Sequence, residues 1–377
     1  MEKAKVYFTD FRTVAFGDGL PAKLKKLVKK AGIGRIDMDG KFAAIKMHFG
    51  ELGNISFLRP NYAKAVADVV KELGGRPFLT DCNTMYPGSR KNALEHLYCA
   101  WENGFTPLSV GCPILIGDGL KGTDDIAVPV RGGEYVKEAK IGRAIMDADV
   151  LISLTHFKGH EMTGFGGTIK NLGMGCGSRA GKKEQHSSGK PHIEDALCRG
   201  CRKCQRECAN DALAFDGERK KMSVNHHNCV GCGRCLGACN FDAIAFDNDD
   251  ANEALNCRMA EYAKAVVDGR PSFHISLIVD VSPNCDCHCE NDAPILPNLG
   301  MFASFDPLAL EQACVDACLA AKPMPGSQLS DNMAKAGFVD RHDHFVNSTP
   351  ESEWRTCLEH AEKIGLGTRE YELITVK

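Results

Sequence analysis

No apolar run in these 377 residues reaches the roughly 18 that mark a membrane-spanning helix. Residues 1–13 lack the charged start, apolar stretch and small-residue cleavage site of a secretory signal. These absences predict a cytoplasmic chain without a membrane span. Massed positive charge is missing as well: 46 Lys and Arg are scattered among 49 Asp and Glu, for a net charge of -3. The electrostatic footprint needed to grip a phosphate backbone is absent, so no nucleic-acid partner is expected. A strand-linked G-x-G-x-x-G fingerprint with its downstream acid is also lacking, and neither NAD nor FAD is assigned by motif. The composition, 44% hydrophobic and 25% charged, indicates neither disorder nor a fibrous repeat. Its length accommodates two or three domains of roughly 100–200 residues.

Cysteine is what the chain has in excess. Nineteen occur without an export signal, and a reducing cytosol keeps thiols free, so metal ligation or catalysis explains them better than disulfides. Cys198, Cys201, Cys204 and Cys208, followed by Asp211 to Phe215, recur as Cys229, Cys232, Cys235 and Cys239, followed by Asp242 to Phe246, at a constant offset of 31 residues. One small supersecondary unit has been duplicated. Each half reads C-x2-C-x2-C-x3-C, the spacing by which bacterial ferredoxins wrap three thiolates around one cubane and lend the fourth to the other cluster. Two 4Fe-4S clusters are therefore expected, one on Cys198, Cys201, Cys204 and Cys239, the other on Cys229, Cys232, Cys235 and Cys208. The alternative is a pair of zinc sites, which generally use separated C-x2-4-C pairs. The resemblance to two-cluster ferredoxins covers residues 193–247, with Ala209 and Asn240 in place of the proline that usually follows each fourth cysteine.

On either side of the repeat, short apolar runs alternate with amphipathic helices. This is the pattern of an α/β protein with a mostly parallel sheet and flanking helices. Helical period is carried by Leu24, Leu27, Val28 and Ala31 after Pro21, by Leu94, Leu97, Tyr98 and Trp101, and by Leu255, Met259, Tyr262 and Val266. Polar stretches at 178–190 and 247–252 are expected to be linkers. The expected division is a first host part at 1–190, a small α+β ferredoxin-like insert at 191–248 and a second host part at 249–377, both host parts sharing one sheet.

Several expected strands end in polar residues, namely His48, Asp81 with Asn83, Gly117 with Asp118, and His156. Open α/β sheets bind ligands beyond the carboxyl ends of their strands, so a site is expected along this edge. Residues 155–171 form its richest stretch. Gly164, Gly166 and Gly167 would let backbone N–H groups approach an anion, a following helix N-terminus would add favourable partial charge, and Lys170 could reach the same ligand; these four are the expected cofactor-binding residues. His156, Lys158, His160 and Lys170 are the candidate catalytic residues. Histidine exchanges protons near neutral pH, and a lysine in a dry or cationic pocket can lose its proton and become a nucleophile. His48 and Glu51 either join from a second strand end or form a surface salt bridge. The run Cys285-Asp286-Cys287-His288-Cys289 follows an apolar stretch and is expected either to continue a strand or to lie in a loop at its carboxyl end. Cys285 and Cys287 with His186 or His156 would suit zinc or nickel; alternatively these cysteines merely fill core space.

The stretches Lys46-x-His48-Phe49-Gly50-Glu51, Thr80-Asp81-x-Asn83-Thr84, His156-Phe157-Lys158-Gly159-His160, Lys170 to Gly175 and Asp306-Pro307 resemble the uncharacterised Fe-S-centre proteins that combine domain of unknown function 362 with an inserted ferredoxin. That resemblance runs over nearly the whole chain and implies a relative, not a reaction. A shorter one, over residues 160–186, is to lactate racemase: His160, Gly164, Phe165, Gly167 and Lys170 match its H-x3-G-[YF]-x-G-x2-K, while Thr168-Ile169 replaces Gly-Arg. It implies cofactor attachment or binding at Lys170, acid–base work at His160 and a metal at His186.

The function expected from these features is electron transfer by an iron–sulfur oxidoreductase, between two 4Fe-4S clusters and a substrate or cofactor in the host domain. A non-catalytic carrier that docks a redox partner protein and a racemase-like enzyme with structural or regulatory clusters are the alternatives. An additional metal or organic cofactor would separate enzyme from carrier, and a small-molecule substrate or redox partner protein is the expected partner.

Overall fold

The computed structural model describes residues 3–377 apart from 86–87, 187–190, 230–234, 236–238, 240, 242 and 247–250. An eight-stranded sheet runs in the order Tyr371–Thr375, Ala4–Asp10, Gly300–Ser304, Ser272–Ile278, Val150–His156, Phe42–Lys46, Arg76–Asp81, Ile114–Ile116. The last five are parallel neighbours. Gly300–Ser304 runs against both its neighbours, and the two outer strands beyond it are parallel to each other. Strands from before and after the cysteine-rich stretch lie side by side, with Leu277 opposite His156.

Val150–His156 is buried at every position, as a central parallel strand covered on both faces must be. Its alternate side chains serve two cores: Val150, Ile152 and Leu154 face one, Leu151 the other. The first core takes Leu24, Leu27 and Val28 of Leu20–Lys30 together with the helix Pro60–Glu72. The second takes Leu255, Met259, Tyr262 and Val266 of Ala251–Val267 with the helices Thr168–Cys176 and Pro307–Leu319. A side chain at Gly173 would strike the carbonyl of Met259, so this glycine permits the close approach of two helices.

Two expectations are corrected. The helix Ala93–Glu102 forms, but Leu94, Tyr98 and Trp101 are exposed, and the buried face is His96, Cys99 and Ala100. His96 turns inward to meet the edge of Phe49 and to stand 3.7 Å from Asp81. The stretch 178–190 contains a helix, Arg179–Gln185, which Ser178 caps by accepting from the Gly181 N–H at 3.1 Å. Lys182, Gln185 and His186 are buried, which a solvated linker would not allow. Residues 247–250 lie outside the described residues, and Ala251 already begins the following helix.

In the cysteine-rich stretch Leu213–Asp216 pairs with Lys221–Val224, and Pro191–Ile193 with Ile244–Phe246, both antiparallel. The second pairing brings the stretch's entry and exit together. No helix among the described residues is long and apolar enough to cross a membrane.

Candidate functional site

Lys46, Asp81 and His156 are the last residues of three adjacent parallel strands, and a cavity opens beyond them, lined also by Lys158, Lys170, Lys182, Cys285 and Cys287. Lys46 and Asp81 form a buried ion pair at 3.0 Å. Asn171 locks it to the neighbouring strand: its Oδ1 accepts from Lys46 Nζ at 2.7 Å, and its Nδ2 donates to Thr155 Oγ1 at 3.0 Å. Burial works to raise the Asp81 carboxyl, but Lys46, His48, His96 and Arg90 hold it well below the usual carboxylate range. Arg90 also pairs with Glu51 at 3.1 Å, both side chains buried. Glu51 is thus neither a partner of His48 nor part of a surface bridge. His48 lines the cavity, with Nδ1 accepting from the Gly50 N–H at 2.9 Å.

The hairpin of Lys158–His160 and Gly164–Gly166 is held down by aromatic packing. Phe157 stacks on Phe165 at 4.8 Å, and Phe165 meets Trp354 at 5.4 Å. Polar side chains are thereby carried into the interior. His156 is fully engaged, with Nδ1 at 2.8 Å from Asp286 Oδ2 and Nε2 at 2.7 Å from the Val279 carbonyl. With both nitrogens taken up by oxygen partners, the ring serves as a strut between the hairpin and the cysteine loop. Lys158 lies 3.8 Å from the same Asp286. His160 Nδ1 accepts the N–H groups of Met162 and Thr163, each at 3.1 Å, which leaves Nε2 as the nitrogen able to carry the proton of a neutral ring.

The glycines have structural duties in place of the expected anion cradle. The N-terminus of Thr168–Cys176 is already occupied by Glu311, whose carboxylate accepts the Thr168 and Ile169 N–H groups at 2.6 and 3.2 Å. A side chain on Gly167 would collide with that carboxylate. Burial raises Glu311 to about 7 against the pull of those two donors. Gly164 adopts φ +66 with Trp354 packed against it, and Gly166 leaves room for Lys158 and Lys170.

The strand Ser272–Ile278 ends before the thiols, so Cys285–Cys289 form a loop beyond its carboxyl end. Cys285 and Cys287 are buried, while Cys289 is exposed. Lys170 Nζ donates to Cys285 Sγ at 3.2 Å. A hydrogen bond from Cys287, against the cost of burial, together with Lys170, His160 and Lys158, holds the Cys285 thiol well below its ordinary value, while Cys287 is pushed up and keeps its proton. Burial works against the Lys170 charge, but Cys285, Cys287 and Glu161 raise it above the ordinary lysine value. Lys170 is therefore a fixed cation here and not the deprotonated nucleophile anticipated from sequence. His186 belongs to the same surroundings: burial, then His160 and Lys170, lower it to about 3, so its ring is neutral.

The family model for a domain of unknown function (DUF362) matches residues 43–316, from the strand that ends in Lys46 through the cysteine-rich stretch to the helix bearing Glu311. The chain belongs to the DUF362 family. A thylakoid-associated protein of Synechocystis sp. (strain PCC 6803) is 32% identical over 130 residues, 33% of this chain and 34% of that protein. The chain thus matches about a third of that relative's length. Two solved structures are similar at low level. Lactate racemase apoprotein from Thermoanaerobacterium thermosaccharolyticum has TM-score 0.37 and 11% identity, over 74% of this chain and 51% of that one. A Thermotoga maritima protein has TM-score 0.38 and 12% identity, over 79% and 57%.

In this DUF362 chain the second candidate site is a cavity lined by Cys198, Cys201, Cys204 and Cys239, with Ile193, Met222 and Ile244 around them. The Gly200 and Met222 N–H groups donate to Cys198 Sγ at 3.5 and 3.4 Å, and the Ala212 N–H donates to Cys208 Sγ at 3.3 Å. Cys208, Cys229 and Cys235 are partly buried, and Cys232 lies outside the described residues. No disulfide joins the described cysteines. Asp286, Glu311, Arg90 and Lys182 escaped the sequence reading. For Asp286 the available signal was its place between two cysteines; for the others there was none nearby in the chain.

Proposed function

We propose that this chain is an iron–sulfur oxidoreductase in which residues 191–248 hold two 4Fe-4S clusters and electrons pass between them and a substrate in the host cavity. The observation that carries this reading is the cavity in which Cys239, from the second half of the repeat, joins Cys198, Cys201 and Cys204 from the first. Shared ligation of that kind is what the two-cluster spacing requires. Backbone N–H groups on Cys198 and Cys208 supply the sulfur hydrogen bonds that tune such centres. When bound, each cluster supplies one-electron exchange.

The host residues supply binding and proton control. Lys182, whose Nζ donates to the Gly177 carbonyl at 2.5 Å, and the Lys170–Cys285 pair make the cavity suited to an anionic small molecule. His160 and half-buried His48 are the groups available to move a proton. A pure carrier would have no use for a second buried site of this polarity, which favours the enzymatic reading. To test the ligation, Cys239→Ala and Cys208→Ala are prepared anaerobically. Each variant should lose about half of the iron and sulfide, Cys239→Ala from the cluster held by Cys198, Cys201 and Cys204. Unchanged iron in both would overturn the reading.

A further inference from the structure

We propose that Glu161, Cys287 and His288 form a separate mononuclear site for a divalent metal of the zinc class. One ligand atom from each lies within 4.8 Å of the other two. The ligands come from two elements, Glu161 from the tip of the Lys158–Gly166 hairpin and the other two from the loop after Ser272–Ile278, so the pairing is a product of tertiary folding and not of chain proximity. His288 Nε2 stands 3.1 Å from Glu161 Oε1, and the buried Glu161 Oε2 has no hydrogen-bond partner. A carboxylate oxygen buried without a donor is costly, and a cation between carboxylate, imidazole and thiolate satisfies it.

The donor chemistry narrows the metal. One sulfur, one imidazole nitrogen and one carboxylate oxygen form a mixed set that suits zinc or its cobalt(II) and iron(II) relatives better than the hard cations magnesium and calcium. Cys287 would bind as its thiolate and His288 as a neutral ring through Nε2, with Glu290 Oε1 at 3.4 Å from Nδ1 to orient the ring. Three protein ligands leave a fourth position open, the mark of reactive and not merely structural zinc. Cys287 also lines the Lys46 cavity, and the fourth position would take a water. The sequence expectation put a metal on Cys285 and Cys287 with His186 or His156; in the structure Cys285 is engaged by Lys170, and His156 by Asp286 and Val279.

The test uses full-length protein prepared anaerobically with its iron measured. Zinc chloride is added, excess is removed, and zinc is counted and examined by X-ray absorption. The expected result is one zinc per chain, with a single sulfur at about 2.3 Å and nitrogen or oxygen at about 2.0–2.1 Å. Glu161→Gln, Cys287→Ser and His288→Gln should each weaken zinc binding at least about tenfold with iron content unchanged, and Cys289→Ser should leave it as it was. Zinc below a fifth of an equivalent, or zinc surrounded by three or four sulfurs, would overturn the site; this spectrum decides even where a variant folds poorly. The site does not depend on the iron–sulfur reading. Absence of iron with one-sulfur zinc retained would sink that reading and leave this one.

Discussion

The two parts of this protein use the same residue in opposite ways. In the host, Cys314, Cys318 and Cys357 are packed among apolar neighbours, and burial pushes their thiols well up, the behaviour of inert core filler. In the cysteine-rich stretch, Cys198, Cys201, Cys204 and Cys239 surround a cavity, and among the described residues the buried core beside them is Leu213, Met222, Ala243 and Ile244 with two of the cysteines themselves, backed by partly buried Ile193, Phe215 and Val224. The host is held by two extensive apolar clusters, one on each face of its sheet. A segment below roughly 70–80 residues with so little core needs a staple, commonly a metal centre. The lesson is that the host can carry buried charges because hydrophobic burial sustains it, whereas the small segment, on the function proposed above, would depend on what its thiols bind.

The comparison breaks most visibly if iron is withheld. Protein refolded without iron and sulfide should be cleaved by a protease within 191–248 while the host fragments persist; equal resistance with and without iron would remove the contrast. Next in size is Lys46→Met, which removes the nearest cation from buried Asp81 and leaves it Arg90 at 3.6 Å. Removing one partner of a buried pair costs about 3–5 kcal/mol, so the host transition in chemical denaturation should fall by that order, and a loss below about 1 kcal/mol would show that water reaches the pair.

A smaller effect is set by pH. Burial works to lower His360, but hydrogen bonds to Cys257 and Glu261 lift it to about 9 from 6.5. A folded value above the unfolded one means that this stabilisation is complete below about 6.5 and fades as pH rises through about 9. His360→Gln should flatten host stability across that window, which denaturation at a series of pH values would detect. Smallest is Leu94→Gln, on the exposed face of Ala93–Glu102, with a change within about 0.5 kcal/mol; a loss of 2 kcal/mol or more would mean that this face is covered.

The sheet edge was legible because His48, Asp81 and His156 follow apolar runs in the sequence. The repeat was legible because its cysteine spacing recurs along the chain at a constant offset of 31 residues. Helical period told which of Leu94, Leu97, Tyr98 and Trp101 share a face but not that the opposite face, with His96, turns inward. Glu311 could not be found, since its bond to Thr168 spans 143 residues and arises only when one helix packs across another. The same holds for Asp286 against His156, 130 residues apart: a strut of this kind is invisible until the strand register is set. The glycines misled because φ +66 at Gly164 and the space that Glu311 needs at Gly167 call for glycine as firmly as an anion would.

Iron and acid-labile sulfide per chain, measured on protein purified without oxygen, test the central claim most directly. The account predicts about eight of each, four for every set of four cysteines. Stoichiometric zinc in their place, with no labile sulfide, would contradict it.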